Sequence, residues 1–129
     1  MRRILLDTCA VIWLANGEVG RLSSSATESL RMADFLYVSP ISEWEITFKW
    51  RCGGIVLPVS PRELIAMVKE QYGILTSPLS DEVMFTAAEL PFLHRDPADR
   101  FIIATAMVGK MAVATADRRF APYGIEVLS

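Results

Sequence analysis

The chain has 129 residues, with 13 Lys plus Arg against 15 Asp plus Glu and a formal net charge of −2, so bulk electrostatics does not draw it to nucleic acid. A composition 52% hydrophobic and 22% charged excludes a disordered chain; it fits a single domain, residues 1–129, with a sizeable core and apolar surface left over for a partner. Two cysteines without CxxC spacing, accompanied by 1 His, argue against a disulfide scaffold or a structural zinc site.

The chain opens with a basic pair and only three apolar residues before Asp7, too short for a signal peptide. No apolar run nears the roughly 20 residues of a membrane span, so the expectation is a reduced, cytoplasmic protein without a membrane contact. Ile4-Leu5-Leu6 reads as a buried strand ending at Asp7, and Thr8 to Asn16 as a helix stopped near Gly17. Ser25 and Glu28 have the spacing of a capping box, which predicts a second helix to about Ala33. Phe35-Leu36-Tyr37-Val38 is aromatic and β-branched, hence a strand. Pro40 opens a helix that reaches Cys52 and closes on Gly53-Gly54; Pro61 opens another ending near Gly73. Ile74-Leu75 is a short strand, Ser80-Asp81-Glu82 caps a helix to Leu90, and Asp96-Pro97-Ala98-Asp99 starts one ending at Gly109. Met111 to Ala114 and Ile125 to Leu128 are the last strands. Apolar strands alternating with helices predict an α/β fold, a mostly parallel sheet covered on both faces, with its ligand crevice at the carboxyl ends of the strands.

Four carboxylates fall where that crevice would be. Asp7 ends the first strand, where it serves either as a helix cap or as a site acid. On a helical wheel of about 100° per residue, Glu45 lies roughly 40° from Ile41, inside a stripe of Ile41, Trp44, Phe48 and Cys52. A carboxylate on a buried face must be paired, protonated or bound to a metal. Glu43, Ile46 and Trp50 share the opposite side, a second apolar patch. Asp96 and Asp99 fit helix-start chemistry as N-cap and third residue, but the helix they begin is apolar nearly all round, so Asp99 should sit at a core edge. Asp117 follows the strand through Thr115-Ala116, either as a turn residue or as a fourth site acid. Carboxylates packed together cannot all stay ionised without a cation. An all-oxygen set selects Mg²⁺ or Mn²⁺, the metals of assisted phosphodiester hydrolysis.

The segments Leu5-Leu6-Asp7-Thr8, Val38-Ser39-Pro40-Ile41-Ser42-Glu43-Trp44-Glu45-Ile46 with Lys49, His94-Arg95-Asp96-Pro97-Ala98-Asp99-Arg100 and Thr115-Ala116-Asp117-Arg118-Arg119-Phe120, in this order over nearly the whole chain, resemble the PIN-domain nucleases. More narrowly they resemble the VapC-type toxins of type II toxin–antitoxin modules. The resemblance implies a PIN-like three-layer α/β/α domain and a metal-dependent endoribonuclease with Asp7, Glu45, Asp99 and Asp117 as its acids. It implies in-line hydrolysis of RNA leaving a 5′-phosphate and a 3′-hydroxyl, a homodimer, and a cognate VapB- or Phd-like antitoxin. Position 9, commonly polar in relatives, is Cys here, and the fourth acid position, often Asn, is Asp.

The hydroxyls of Thr8, Ser42 and Thr115, and the carboxylate of Asp96, are accessory candidates beside the acids; ordinary backbone capping is the alternative, the favoured one for Ser42. Lys49, Arg51, Arg95, Arg100, Arg118 and Arg119 are candidates for a basic rim holding RNA phosphates, with a solvated face, or for Arg100 a pair with a site carboxylate, as the alternative. His94 reads as an ordinary loop histidine or a phosphate contact. Asp7-Thr8-Cys9 lacks the second Asp of a haloacid-dehalogenase-type hydrolase, and the acidic pair and late Lys of a receiver domain are not in place. The remaining alternative is a catalytically silent PIN-like RNA-binding or scaffold protein.

Overall fold

The computed structural model describes residues 1–129, the side chain of Val19 excepted. The chain runs β1 (Arg3–Leu6), α1 (Thr8–Ala15), a 3₁₀ turn (Val19–Arg21), α2 (Ser24–Arg31), β2 (Phe35–Val38) and α3 (Pro40–Arg51). It continues through α4 (Pro61–Tyr72), β3 (Ile74–Thr76), α5 (Asp81–Glu89), α6 (Pro97–Gly109), β4 (Ala112–Ala114), a 3₁₀ turn (Ala121–Tyr123) and β5 (Val127–Leu128). The five strands form one sheet in the order β3-β2-β1-β4-β5, and every pairing is parallel. Parallel pairing gathers all strand carboxyl ends at one edge. The chain steps outward from β1 through β2 to β3 on one side and through β4 to β5 on the other. The crevice therefore opens between β1 and β4, where Leu5 pairs with Val113 and Leu6 with Ala114.

Strand alternation divides the core. Ile4, Leu6, Val38, Ala112 and Ala114 face one way and pack with Ala10, Val11 and Leu14 of α1, Ala26 of α2, Ile46 of α3 and Val68 of α4. Leu5 and Val113 face the other way, against Val83 and Ala87 of α5 and Ile102 and Ile103 of α6. Helices thus cover both faces of the sheet, giving three layers.

Each helix starts where a side chain satisfies a free backbone N–H. Asp7, Ser39, Ser60, Ser80 and Asp96 cap α1, α3, α4, α5 and α6, with proline just inside the start of α3, α4 and α6. Gly73, at φ 65°, supplies the left-handed residue that ends α4 and turns the chain into β3. The second helix departs from the sequence expectation. Ser23, not Ser25, is its cap, extended at φ −63° and ψ 161° and accepting the Ala26 N–H at 3.0 Å. Glu28 lies too far along to reach back and instead pairs with Arg31 at 2.8 Å. The last strand is also shorter than Ile125 to Leu128, only Val127–Leu128.

The cap assignment is open to a simple test in urea unfolding. Ser23→Ala should cost about 1 kcal/mol, whereas Ser25→Ala should stay within about 0.5 kcal/mol.

Candidate active site

Asp7, Glu45, Asp99 and Asp117 line a single cleft of about 270 Å³ at the carboxyl edge of the sheet, together with Thr8, Asp96, Lys49 and Arg119. Each acid arrives on a different element: the end of β1, α3, α6, and the loop after β4. Asp7 is held by its capping role, its carboxylate accepting the Ala10 N–H at 2.8 Å, so cap and cleft position are one geometry rather than alternatives. Asp96 likewise caps α6, accepting the Ala98 N–H at 2.9 Å, and stays at the rim.

Glu45 is buried, but not on the stripe its sequence suggested. The inward residues of α3 are Ser42, Glu45 and Ile46, at i, i+3 and i+4. Trp44 and Phe48 are half exposed and stack on each other at 5.0 Å, Cys52 is exposed, and Ile46, placed with the outer patch, has no exposure at all. Aromatic side chains outweigh a serine on any hydropathy wheel, and α3 sits at the cleft, where small polar residues face inward.

The hydroxyls tie the acids together. The Thr115 hydroxyl accepts the Asp117 N–H at 3.0 Å and also hydrogen-bonds the Asp7 carboxylate, linking two acids through one side chain. Thr8 donates to Ser42 at 3.0 Å in a buried pair that joins α1 to α3, so Ser42 bonds a side chain rather than merely capping backbone.

The basic candidates separate. Lys49 reaches Glu45 at 3.2 Å, and Arg119 clamps Asp117 through Nε at 3.0 Å and Nη2 at 2.9 Å; both line the cleft. Arg95 is exposed and lines a different, largely apolar groove of about 680 Å³ between α5 and α6. Arg51 and Arg118 are exposed and outside the cleft lining. Arg100 is not a rim residue. It is buried, donating to the carbonyls of Ala87, Leu90, Pro91 and His94 at 2.8 to 3.2 Å. Those carbonyls are left without helical partners where α5 ends, and a guanidinium carries enough donors in one plane to satisfy them. Neither phosphate nor a site carboxylate is its partner.

His94, read from the sequence as an ordinary loop histidine or a phosphate contact, is instead a buried neighbour of the acids. It is fully buried, its Nε2 is 3.1 Å from both Asp99 and Asp117, and its ring meets Phe120 edge-on at 5.7 Å. Its position two residues before Asp96, the cap of α6, with no second His in the chain, is the signal the sequence offers.

The electrostatics separates the acids. Burial, reinforced by Asp117 and Glu45, pushes Asp7 up to about 6 despite the hydrogen bonds from Thr115 and Ala10. Burial and then Asp96, with Glu45 and Asp7, push Asp99 up to about 7 against the opposing His94. Arg119 first, then backbone and His94 hydrogen bonds, hold Asp117 down at about 2. Asp117 has an internal cation and the other two lack one. Burial and then Asp7 raise the Cys9 thiol, which makes it a weak nucleophile. Carboxylates that resist ionisation in a cleft lined by oxygen donors fit a hard divalent cation, with Asp7, Glu45, Asp99 and Asp117 as the residues that would hold it.

Two expected outcomes follow from this site. In EDTA the folded protein binds protons on Asp7 and Asp99 that the unfolded chain has already released, so stability should fall as pH rises from about 4 to about 7. For Asp7 this loss is at most about 3 kcal/mol. Asp117 acts in the opposite sense, but only as pH drops below about 4, so it does not mask the trend. Melting curves across this range, with and without Mn²⁺, check it: the metal should restore most of the loss at pH 7.5. Arg100→Met should cost about 3 kcal/mol or more in urea unfolding, because the Ala87, Leu90 and His94 carbonyls lose a buried donor, while Pro91 keeps the Tyr123 hydroxyl. An Arg118→Ala control should stay within about 0.5 kcal/mol.

Comparison with known proteins places this geometry. The family model for the PIN domain matches residues 4–125. Ribonuclease VapC22 of Mycobacterium tuberculosis is 32% identical over 120 residues, 92% of this chain and 90% of that protein. Among solved structures, VapBC2 from Rickettsia felis bound to a DNA fragment from their promoter aligns over 97% of this chain and 96% of that chain, with a TM-score of 0.73 at 13% identity. VapBC-1 from nontypeable Haemophilus influenzae aligns over 98% and 97%, with a TM-score of 0.70 at 13% identity. These two share the fold, while the family model and the sequence relative carry the assignment. With the acids gathered at the sheet edge where such a domain keeps its ligand crevice, the chain belongs to the PIN-domain family, in its VapC branch.

Proposed function

We propose that this protein is a VapC-type endoribonuclease, the toxin of a toxin–antitoxin module, and that it hydrolyses RNA phosphodiester bonds in the acidic cleft with Mg²⁺ or Mn²⁺. The observation that carries this reading is the meeting of four carboxylates from four elements in one cleft, two of them driven towards neutrality by burial and by the neighbouring acids. The sequence relationship to a ribonuclease supports RNA as the substrate. When bound, the cation supplies Lewis-acid polarisation of the phosphate and of the attacking water.

The chain's own residues do the rest. Asp7, Glu45, Asp99 and Asp117 would hold the cation, and the Thr115 hydroxyl keeps Asp7 and Asp117 in register. The Thr8–Ser42 pair fixes α3 against α1 and so the depth at which Glu45 sits. Lys49 and Arg119 stand at the mouth, each paired with an acid, and exchange those carboxylates for RNA phosphates as substrate enters. Cleavage leaves a 5′-phosphate and a 3′-hydroxyl.

Apolar side chains left at the surface support protein partners. Trp44, Phe48 and Trp50 are exposed on α3 and Met67 on α4, and Met84 and Phe85 are exposed on α5 with Phe92 just after it. One face suits a second copy of the chain and the other a cognate VapB- or Phd-like antitoxin. No helix is long and apolar enough to cross a membrane, and the cytoplasm is the compartment this reading assigns.

The test is cleavage of a mixed pool of structured RNAs by the purified chain, with Mg²⁺, Mn²⁺ or EDTA. Asp7→Asn and Asp99→Asn should each lower the rate about 100-fold or more, since losing even an outer partner of a metal site costs 10- to 100-fold. Cuts that persist equally in both variants come from a contaminant. No cleavage and no Mn²⁺-dependent stabilisation would favour a silent RNA-binding or scaffold protein.

A further inference from the structure

His94 is buried beside two of the acids, and no ligand role has been given to it. Its Nδ1 accepts the Asp96 N–H at 3.2 Å. A backbone N–H only donates, so Nδ1 presents its lone pair there and the ring proton belongs on Nε2. Nε2 lies 3.1 Å from one oxygen of Asp117 and 3.1 Å from one oxygen of Asp99. The ligand-type atoms of His94, Asp99 and Asp117 all fall within 4.8 Å of one another, a spacing that suggests a mixed metal triad. A protonated Nε2, however, has no lone pair to give to a cation.

The ring cannot easily turn to present one. The His94 N–H donates to the Tyr123 hydroxyl at 2.7 Å, and that hydroxyl donates to the Pro91 carbonyl at 2.7 Å. The His94 carbonyl accepts from Arg100 at 3.2 Å, and Phe120 closes against the ring at 81°. Turning the ring over would strand the Asp96 N–H and face a C–H to the carboxylates. Asp99 and Asp117 come from different elements and repel each other, and the shared N–H lies between them.

We propose that His94 is a positioning residue of the metal site: its Nε2–H draws Asp99 and Asp117 together from α6 and from the loop after β4, and it does not itself ligate the cation. This rests on the metal-dependent reading of the cleft. It makes the pair of acids partly preassembled before a cation arrives.

The single histidine of the chain makes the test direct. In the full chain labelled with ¹⁵N-histidine at pH 7.5, the expected ring carries a proton on Nε2 and keeps it when Mg²⁺ is added. A ring without a proton on Nε2, or one that loses its Nε2 proton on Mg²⁺ addition, overturns the proposal. Calorimetric titration with Mn²⁺ gives the second reading. His94→Phe should bind about 10-fold more weakly or worse, and His94→Gln, which keeps an N–H donor, should recover most of that loss. Equal affinity in wild type and His94→Phe, or no recovery in His94→Gln, removes the role of the donor. If His94→Phe does not fold, the tautomer decides alone. Absence of Mn²⁺ binding by the wild type overturns the metal-dependent reading itself and this proposal with it. Binding that survives His94→Phe but is lost in Asp99→Asn overturns only the role of His94.

Discussion

Like charges held together at low exposure are the constraint on which the rest of this structure depends. Carboxylates at the carboxyl edge of a parallel sheet repel one another, and burial raises the cost of ionising each. The fold answers with local partners. Asp7 is a helix cap, Thr115 spans Asp7 and Asp117, Arg119 clamps Asp117, and Lys49 reaches Glu45. These contacts do not neutralise the cleft evenly. Asp117 is satisfied, while Asp7 and Asp99 remain short of positive charge, which makes the cleft a place for a cation rather than a self-contained salt-bridge network.

Behind the cleft stands a second polar system, centred on the buried Arg100. Arg100 gathers the carbonyls at the end of α5, and through the His94 carbonyl it fixes the loop that carries the imidazole. Tyr123 ties the same loop from the opposite side. A buried guanidinium is costly unless its donors are used, and here both terminal nitrogens are. The same helix, α6, therefore presents Asp99 to the cleft and Arg100 to the interior one residue later. The chemistry at the edge and the rigidity beneath it come from adjacent positions.

The order of elements was legible because it rests on local physics. Strand runs, proline at helix starts, and cap residues act within a few residues of themselves, so Asp7, Ser80 and Asp96 could be read directly. Where two serines competed at α2, local spacing pointed to Ser25, and only the chain's entry angle, set by the extended backbone at Ser23, resolved it. Glu45 was legible as a buried acid, yet the stripe that suggested it was the wrong one. Trp44 and Phe48 lie at the surface, and the face that meets α1 is marked by Ser42 and Ile46. Arg100 and Arg118 look alike in a sequence. One satisfies four carbonyls that no pattern identifies as unpaired, and the other stays in solvent.

By itself, then, the sequence determined the alternation of strands and helices, the α/β class, the placement of acids after strands and the family motifs. Each of these is written in residues close together along the chain. The tertiary structure decided what depends on residues distant in sequence. It closed five strands into one parallel sheet with the β1–β4 crevice at its centre. It turned Arg100 inward, left Arg119 at the mouth, and brought His94 within 3.1 Å of two acids, one of them 23 positions away. Such contacts form only when separate elements pack, because hydrogen-bond partners are assigned by three-dimensional proximity and burial, which short-range pattern does not encode.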